Sequence, residues 1–176
     1  MLWENLREEE FDLAIERSGG VCVIPIGCLE KHGRHLPVGT DYFQAMHIVK
    51  RAADAESVVI FPIGAWLGDV SCFHAFKDPG ASRLRGCIGI SQKTLLTVLG
   101  ELCDEIARNG FKKILLVNGH GGNDPLLKLF LRMQSYESKD YATLTTSAYA
   151  FSETAPKKLL GSLLTNRPTI TRLIIA

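Results

Sequence analysis

The stretch VCVIPIGCLEKHGRHLPVGTD, from Val21 to Asp41, decides how the rest of the chain is read. Its first six residues are apolar and largely β-branched, which reads as a short strand buried on both faces. Glycines and prolines then break the pattern, and twelve residues of that loop, Glu30 to Asp41, hold Glu30, His32, His35 and Asp41. Asp41 stands where a helix would begin, with Phe43, Met46, Ile48 and Val49 as its apolar face.

Working outward, Glu4 to Arg17 has near-helical spacing at Leu6, Phe11, Ala14 and Ile15 and stops at Gly19-Gly20. Downstream, SVVIFPIG reads as a second strand ending at Pro62. An irregular, glycine-rich segment from Gly64 to Gly89 follows, carrying Trp66 and His74; loops of that length are usually functional. SQKTLLTVLGELCDEIARNGF predicts a helix capped by Ser91, with Leu95, Leu99, Leu102 and Ile106 on one face and Gly110 as its stop. KKILLVNG reads as a third strand. A helix from about Asp124, with Pro125 in its first turn, follows it. YATLTTSAYA reads as a fourth strand. This alternation predicts an α/β fold: a doubly wound, mostly parallel sheet with helices on both faces. Sites in such sheets form at the carboxyl ends of the strands, where the strand order reverses. The loop after Ile26 and the NGHGGN loop, Asn118 to Asn123, are therefore expected to meet.

Composition narrows the function. The 176 residues suit one domain, and 46% hydrophobic with 22% charged residues is ordinary globular content. Twenty basic residues dispersed among nineteen acidic ones leave a formal charge of +1, which argues against a nucleic-acid partner. No apolar run reaches the roughly 20 residues of a membrane span, so no membrane partner is expected. Five cysteines, an odd number without a C-x-x-C pair, argue against a disulfide framework and point to the cytoplasm. Each cysteine reads as a small apolar filler rather than a nucleophile.

Glu30, His32, Asp41 and His120 together offer carboxylate oxygen and imidazole nitrogen without a thiolate. That set suits Zn²⁺ and Mn²⁺ and, less exclusively, Fe²⁺. Glu30 and His32 share a face of an extended segment. Asp41 is placed to bridge a pair of ions, and two metals about 3.5–4 Å apart can activate water and polarise a carbonyl. The matching chemistry is hydrolysis of a C–N bond without a protein nucleophile; no G-x-S-x-G elbow is present. His35, His74 and Asn123 are candidates for supporting or substrate-binding roles. His47, on a predicted helix, reads as structural. GHGGN could cradle a phosphate, but it lacks the G-x-G-x-x-G spacing and the P-loop lysine, so no nucleotide cofactor is expected. Gly121 and Gly122 more simply allow a tight turn behind His120, held by Asn118 and Asn123.

With these residues in view, the chain resembles the creatininase (creatinine amidohydrolase) family. PIGCLEKHGRHLPVGTD is close to the family signature P-x-G-x-x-E-x-H-G-x-H-L-P-x-x-T-D, and GFKKILLVNGHGGN follows in the family's order. The likeness runs from Val21 to Ala150. It implies a homo-oligomer with a dinuclear metal site, Glu30 and His120 serving one ion, His32 the other, and Asp41 bridging them. Two departures stand out. Creatininase proper has a Glu where this chain has Gly122, and members with GHGGN take a carboxylate from a later H-A-G-E-type segment. SETAPKKLLGSLLTNRPTITRLIIA offers only Glu153, so the C-terminal part of the family fold, from about residue 151, reads as missing or diverged. The other departure is FHAFKDPGASRLRGCIGIS, where extra residues separate His74 from a Pro-Gly turn. The resulting expectation is a metal-dependent amidohydrolase using metal-activated water on a small amide, creatinine itself being less favoured than a formamide or a short peptide. The alternative is a metal-binding but catalytically incomplete member that acts, if at all, in an assembly.

Overall fold

The computed structural model describes residues 1–70 and 85–151. His74, Glu153 and the sequence from residue 152 onward lie outside the described residues. Four strands, β1 (Val21–Ile26), β2 (Val59–Ile60), β3 (Lys113–Asn118) and β4 (Ala142–Ser147), form one parallel sheet in the order β2-β1-β3-β4. β1 and β3 run side by side in full register, from Val21 opposite Lys113 to Ile26 opposite Asn118. Helices α1 (Phe11–Arg17), α2 (Thr40–Ala55), α3 (Gln92–Arg108) and α4 (Asp124–Gln134) cover both faces.

The alternation of strand side chains divides the core in two. Cys22, Ile24 and Ile26 of β1, with Ile114 and Leu116 of β3, face α1, α3 and α4 through Ala14, Leu95, Leu99, Leu127 and Phe130. Val21 and Val23, with Leu115 and Val117, face Ala45, Val49 and Ala52 of α2. Burial on both sides explains the uninterrupted apolar runs of β1 and β3. Each large side chain fully buried there contributes about 1.5–3 kcal/mol, so the central pair of strands anchors the fold. From β1 the chain moves to one side to reach β2, and from β3 to the other to reach β4. Strand order therefore reverses between β1 and β3, and a crevice opens at their carboxyl ends.

Several elements differ from their sequence reading. The helix expected from Glu4 begins only at Phe11, after short 3-10 turns at Trp3–Asn5 and Glu8–Glu10. The preceding chain is held extended by a parallel bridge between Leu2 and Ile60, and Trp3 packs edge-on against Phe11 and Phe61. The second strand is shorter than expected, because beyond Phe61, whose N–H still donates to Val23, Pro62 has no N–H to offer. On α2, Phe43 is 56% exposed; the helix instead buries the line Asp41, Ala45, Val49, Ala52. Small residues along that line let α2 lie close to the sheet, and they carry Asp41 into the protein with them. On α3, Ser91 accepts a hydrogen bond from the Thr94 N–H at 3.2 Å, and Cys103 rather than Leu102 completes the buried face. Among the described residues, no helix is long and apolar enough to cross a membrane.

Candidate metal centre

The first turn of α2 enters the crevice between the ends of β1 and β3. Gly119 makes this approach possible, since a Cβ there would overlap the carbonyl oxygen of Asp41. The Asp41 carboxylate, 1% exposed, thereby sits at a helix N-terminus, where the exposed N–H groups favour negative charge.

Two histidines address opposite oxygens of that carboxylate. His120 Nδ1 lies 2.8 Å from Oδ2, and His32 Nε2 lies 3.1 Å from Oδ1. The other nitrogen of each ring is engaged by a backbone carbonyl. His120 Nε2 is 2.9 Å from the Asp69 oxygen, and His32 Nδ1 is 2.9 Å from the Glu30 oxygen. A carbonyl can only accept, so these nitrogens carry hydrogens. The nitrogen of each ring that faces Asp41 donates a proton to it when the ring is charged and turns a lone pair toward it when the ring is neutral. Lone pairs directed at a carboxylate need a cation or a proton between them. The Glu30 carboxylate lies 3.5 Å from His120 Nδ1 on the Oδ2 side.

Cys28 completes that side. Its thiol donates to Asp41 Oδ2 at 3.1 Å. One ligand atom each from Cys28, Glu30, Asp41 and His120 lies within 4.8 Å of the others, a grouping of the size that holds a metal ion. Cys28 is thus not the apolar filler that its residue type suggests, and the signal for it in the sequence is that Cys28, Glu30 and His32 alternate along an extended segment. Asp69, the other residue that the sequence did not single out, acts through its backbone, which leaves no trace in residue type. His35 is exposed beside Gly33, and His47 is exposed on α2; neither joins the cluster.

The β3 loop is held by its asparagines. Asn118, 2% exposed, donates to the His120 carbonyl and to Asp124, both at 2.7 Å, and accepts from the His120 N–H at 3.1 Å. Asn123 donates to Asn118 and accepts the Asp69 N–H at 2.7 Å, tying this loop to the one after β2. Gly122 lies beneath the imidazole: a Cβ there would overlap His120 Nε2 and come within 2.9 Å of the Asp69 oxygen. With the ring turned onto Asp69, position 122 has no room for a side chain.

The electrostatics follow from this packing. Burial pushes the Asp41 carboxyl up, but hydrogen bonds from His120 and Cys28 and the nearby imidazoles outweigh it and hold it below the usual carboxylate range. For His120, burial pulls down while Asp41, the Asp69 carbonyl and Glu30 raise it, with a net shift upward. Burial, then Asp41 and Glu30, push the Cys28 thiol far above its usual range. Without a cation it is a poor nucleophile.

Comparison with known proteins agrees with the residue pattern. The creatininase family profile, described as creatinine amidohydrolase, matches residues 4–166. Creatinine amidohydrolase of Pseudomonas putida is 26% identical over 152 residues, 84% of this chain and 57% of that protein. The mycofactocin precursor peptide peptidase of Mycobacterium tuberculosis is 31% identical over 121 residues, 67% of this chain and 47% of that protein. Among solved structures, a manganese form of creatininase superposes with a TM-score of 0.70 at 25% identity, covering 86% of this chain and 60% of that one. The chain thus spans about half to three-fifths of the length of these relatives. The strand-end site, the signature loop and the profile match over nearly the whole sequence place this chain in the creatininase family.

Proposed function

We propose that this chain is a divalent-metal-dependent hydrolase of small amides, with Glu30, Asp41 and His120 holding an ion on the Oδ2 side of Asp41 and His32 addressing a second on the Oδ1 side. The observation that carries this reading is the placement of two imidazole nitrogens against the two oxygens of one buried carboxylate. Zn²⁺ and Mn²⁺ fit such oxygen and nitrogen donors. Bound there, a divalent ion supplies Lewis acidity, polarising an amide carbonyl and lowering the pKa of water.

The protein's own part is to position. The Asp69 and Glu30 carbonyls hold the two rings in one tautomer, as supporting groups around metal-binding histidines do. The side chains of Asp41 and His120, 2% and 11% exposed, form the floor, while Glu30 and His32, each 29% exposed, face the opening. A substrate therefore approaches from the β1-loop side. The creatinine and peptide substrates in the names of the relatives share an amide, which supports that bond as the target. Family resemblance also supports a homo-oligomer. The described cysteines, Cys22, Cys28, Cys87 and Cys103, are all free, which supports a reducing, cytoplasmic setting.

One observation favours the alternative of a metal-binding but inactive chain: among the described residues, only His32 joins Asp41 on the Oδ1 side. The test is turnover of creatinine, N-formyl amines and short peptides by protein loaded with Zn²⁺ or Mn²⁺. The amidase reading expects C–N cleavage, read as ring opening of creatinine to a carboxylate or as amine release from the acyclic amides, that a chelator abolishes and metal restores. Stable metal content with no cleavage of any of these amides would support the inactive alternative.

A further inference from the structure

Cys28 is fully buried, yet it belongs to neither apolar core, whereas Cys22 and Cys103 both pack within the larger one. Its thiol points instead at Asp41 Oδ2, the oxygen that His120 Nδ1 also addresses. Three further donors surround the same point: the Glu30 carboxylate, Asp41 itself and His120. Room for a donor from position 122 is closed by the imidazole lying over Gly122. We propose that Cys28 is a metal ligand, making the Oδ2 side a site with one sulfur, one nitrogen and two carboxylate donors that favours thiophilic ions such as Zn²⁺ over Mn²⁺.

The inference rests on the metal-site reading above and adds a ligand of different chemistry to it. A coordinating thiol gives up its proton outright to solvent as the ion takes its place, so sulfur and metal form the bond while the Cys28–Asp41 hydrogen bond is lost. Soft sulfur discriminates among metals where oxygen donors do not, because Mn²⁺ prefers carboxylate, carbonyl and water. The four donors match the coordination number that Zn²⁺ usually takes in closed sites. One such ion on the Oδ2 side needs nothing from the sparsely furnished Oδ1 side.

Cobalt substitution separates this idea from the one beneath it. Co²⁺ added to the metal-free full chain should give its visible ligand-field bands and, in the near ultraviolet, a thiolate-to-cobalt charge-transfer band. Cys28→Ser keeps a hydroxyl able to donate to Asp41, so the fold should persist. This variant should still show ligand-field bands while losing the charge-transfer band. Its Zn²⁺ affinity should fall by more than the roughly 10- to 100-fold that losing a merely supporting group costs, with little change for Mn²⁺. Cys87 is the control, because its neighbour Ile88 bonds to Leu29 and brings it near the site. Cys87→Ser should leave the spectrum unchanged. Cobalt bound to the wild type without charge transfer would overturn the Cys28 assignment and leave the metal site standing. A charge-transfer band that survives in Cys28→Ser and disappears in Cys87→Ser would overturn it as well. Failure of the wild type to bind any cobalt would overturn both readings together.

Discussion

The two loops that meet at the crevice are built on opposite plans. The loop after β1 is long and open: Lys31 and Gly33 to Pro37 are exposed, yet it brings Cys28, Glu30 and His32 to the site. Few bonds hold it, among them the Glu30 N–H to Val38 at 2.9 Å and the Thr40 hydroxyl to Pro37 at 2.6 Å. The loop after β3 brings only His120 but fixes it through Asn118, Asn123 and the Asp69 backbone. The long loop supplies donors; the short one sets where they converge. Damage to the short loop should therefore harm fold and site together, and damage to the long loop should harm the site alone.

The largest effect is expected from Gly119→Val. Its Cβ would overlap backbone rather than a movable side chain. The loss should exceed the roughly 1–3 kcal/mol of ordinary overpacking, read as a collapse in soluble yield or in denaturant midpoint. A stable Gly119→Val protein would mean that α2 does not enter the crevice as described. Asn118→Ala should come next. It strips partners from buried polar groups, each costing about 1–3 kcal/mol, and should also weaken metal binding by roughly 10- to 100-fold. Loss of stability with undiminished metal affinity would show that the short loop does not position His120.

His32→Ala tests the long loop. Stability should change by no more than about 0.5 kcal/mol, and metal content should fall by at most one ion per chain, with the Oδ2 side still occupied. A complete loss of metal would move the main site to the Oδ1 side. The smallest effect belongs to His47→Ala: the side chain is exposed and outside the cluster, so metal content should be unchanged and stability within about 0.5 kcal/mol.

The same contrast explains what could be read from the sequence. β1 and β3 were legible because burial on both faces makes an uninterrupted apolar run, and α3 because burial on one face imposes a helical period. The signature loop was legible because donors in a glycine- and proline-rich stretch have few structural reasons to be there. The N-terminal segment misled, since Leu6, Phe11 and Ile15 have helical spacing while the bridge from Leu2 to Ile60 demands extended chain. Phe43 misled because hydrophobicity marks a buried face less reliably than the small residues that close packing against a sheet requires. Asp69 could not be found at all: a carbonyl that orients an imidazole is present in every residue. Cys28 was in plain view, but a cysteine's role depends on what its sulfur faces, and that is a tertiary property.

The most direct test of the central claim, that Asp41 organises the site, is metal content per chain by plasma mass spectrometry for the wild type and Asp41→Ala. Both would be purified without chelators or an affinity tag, and circular dichroism would confirm that both are folded. The account predicts bound divalent metal in the wild type and essentially none in the variant. Full metal content in a folded Asp41→Ala protein would contradict it.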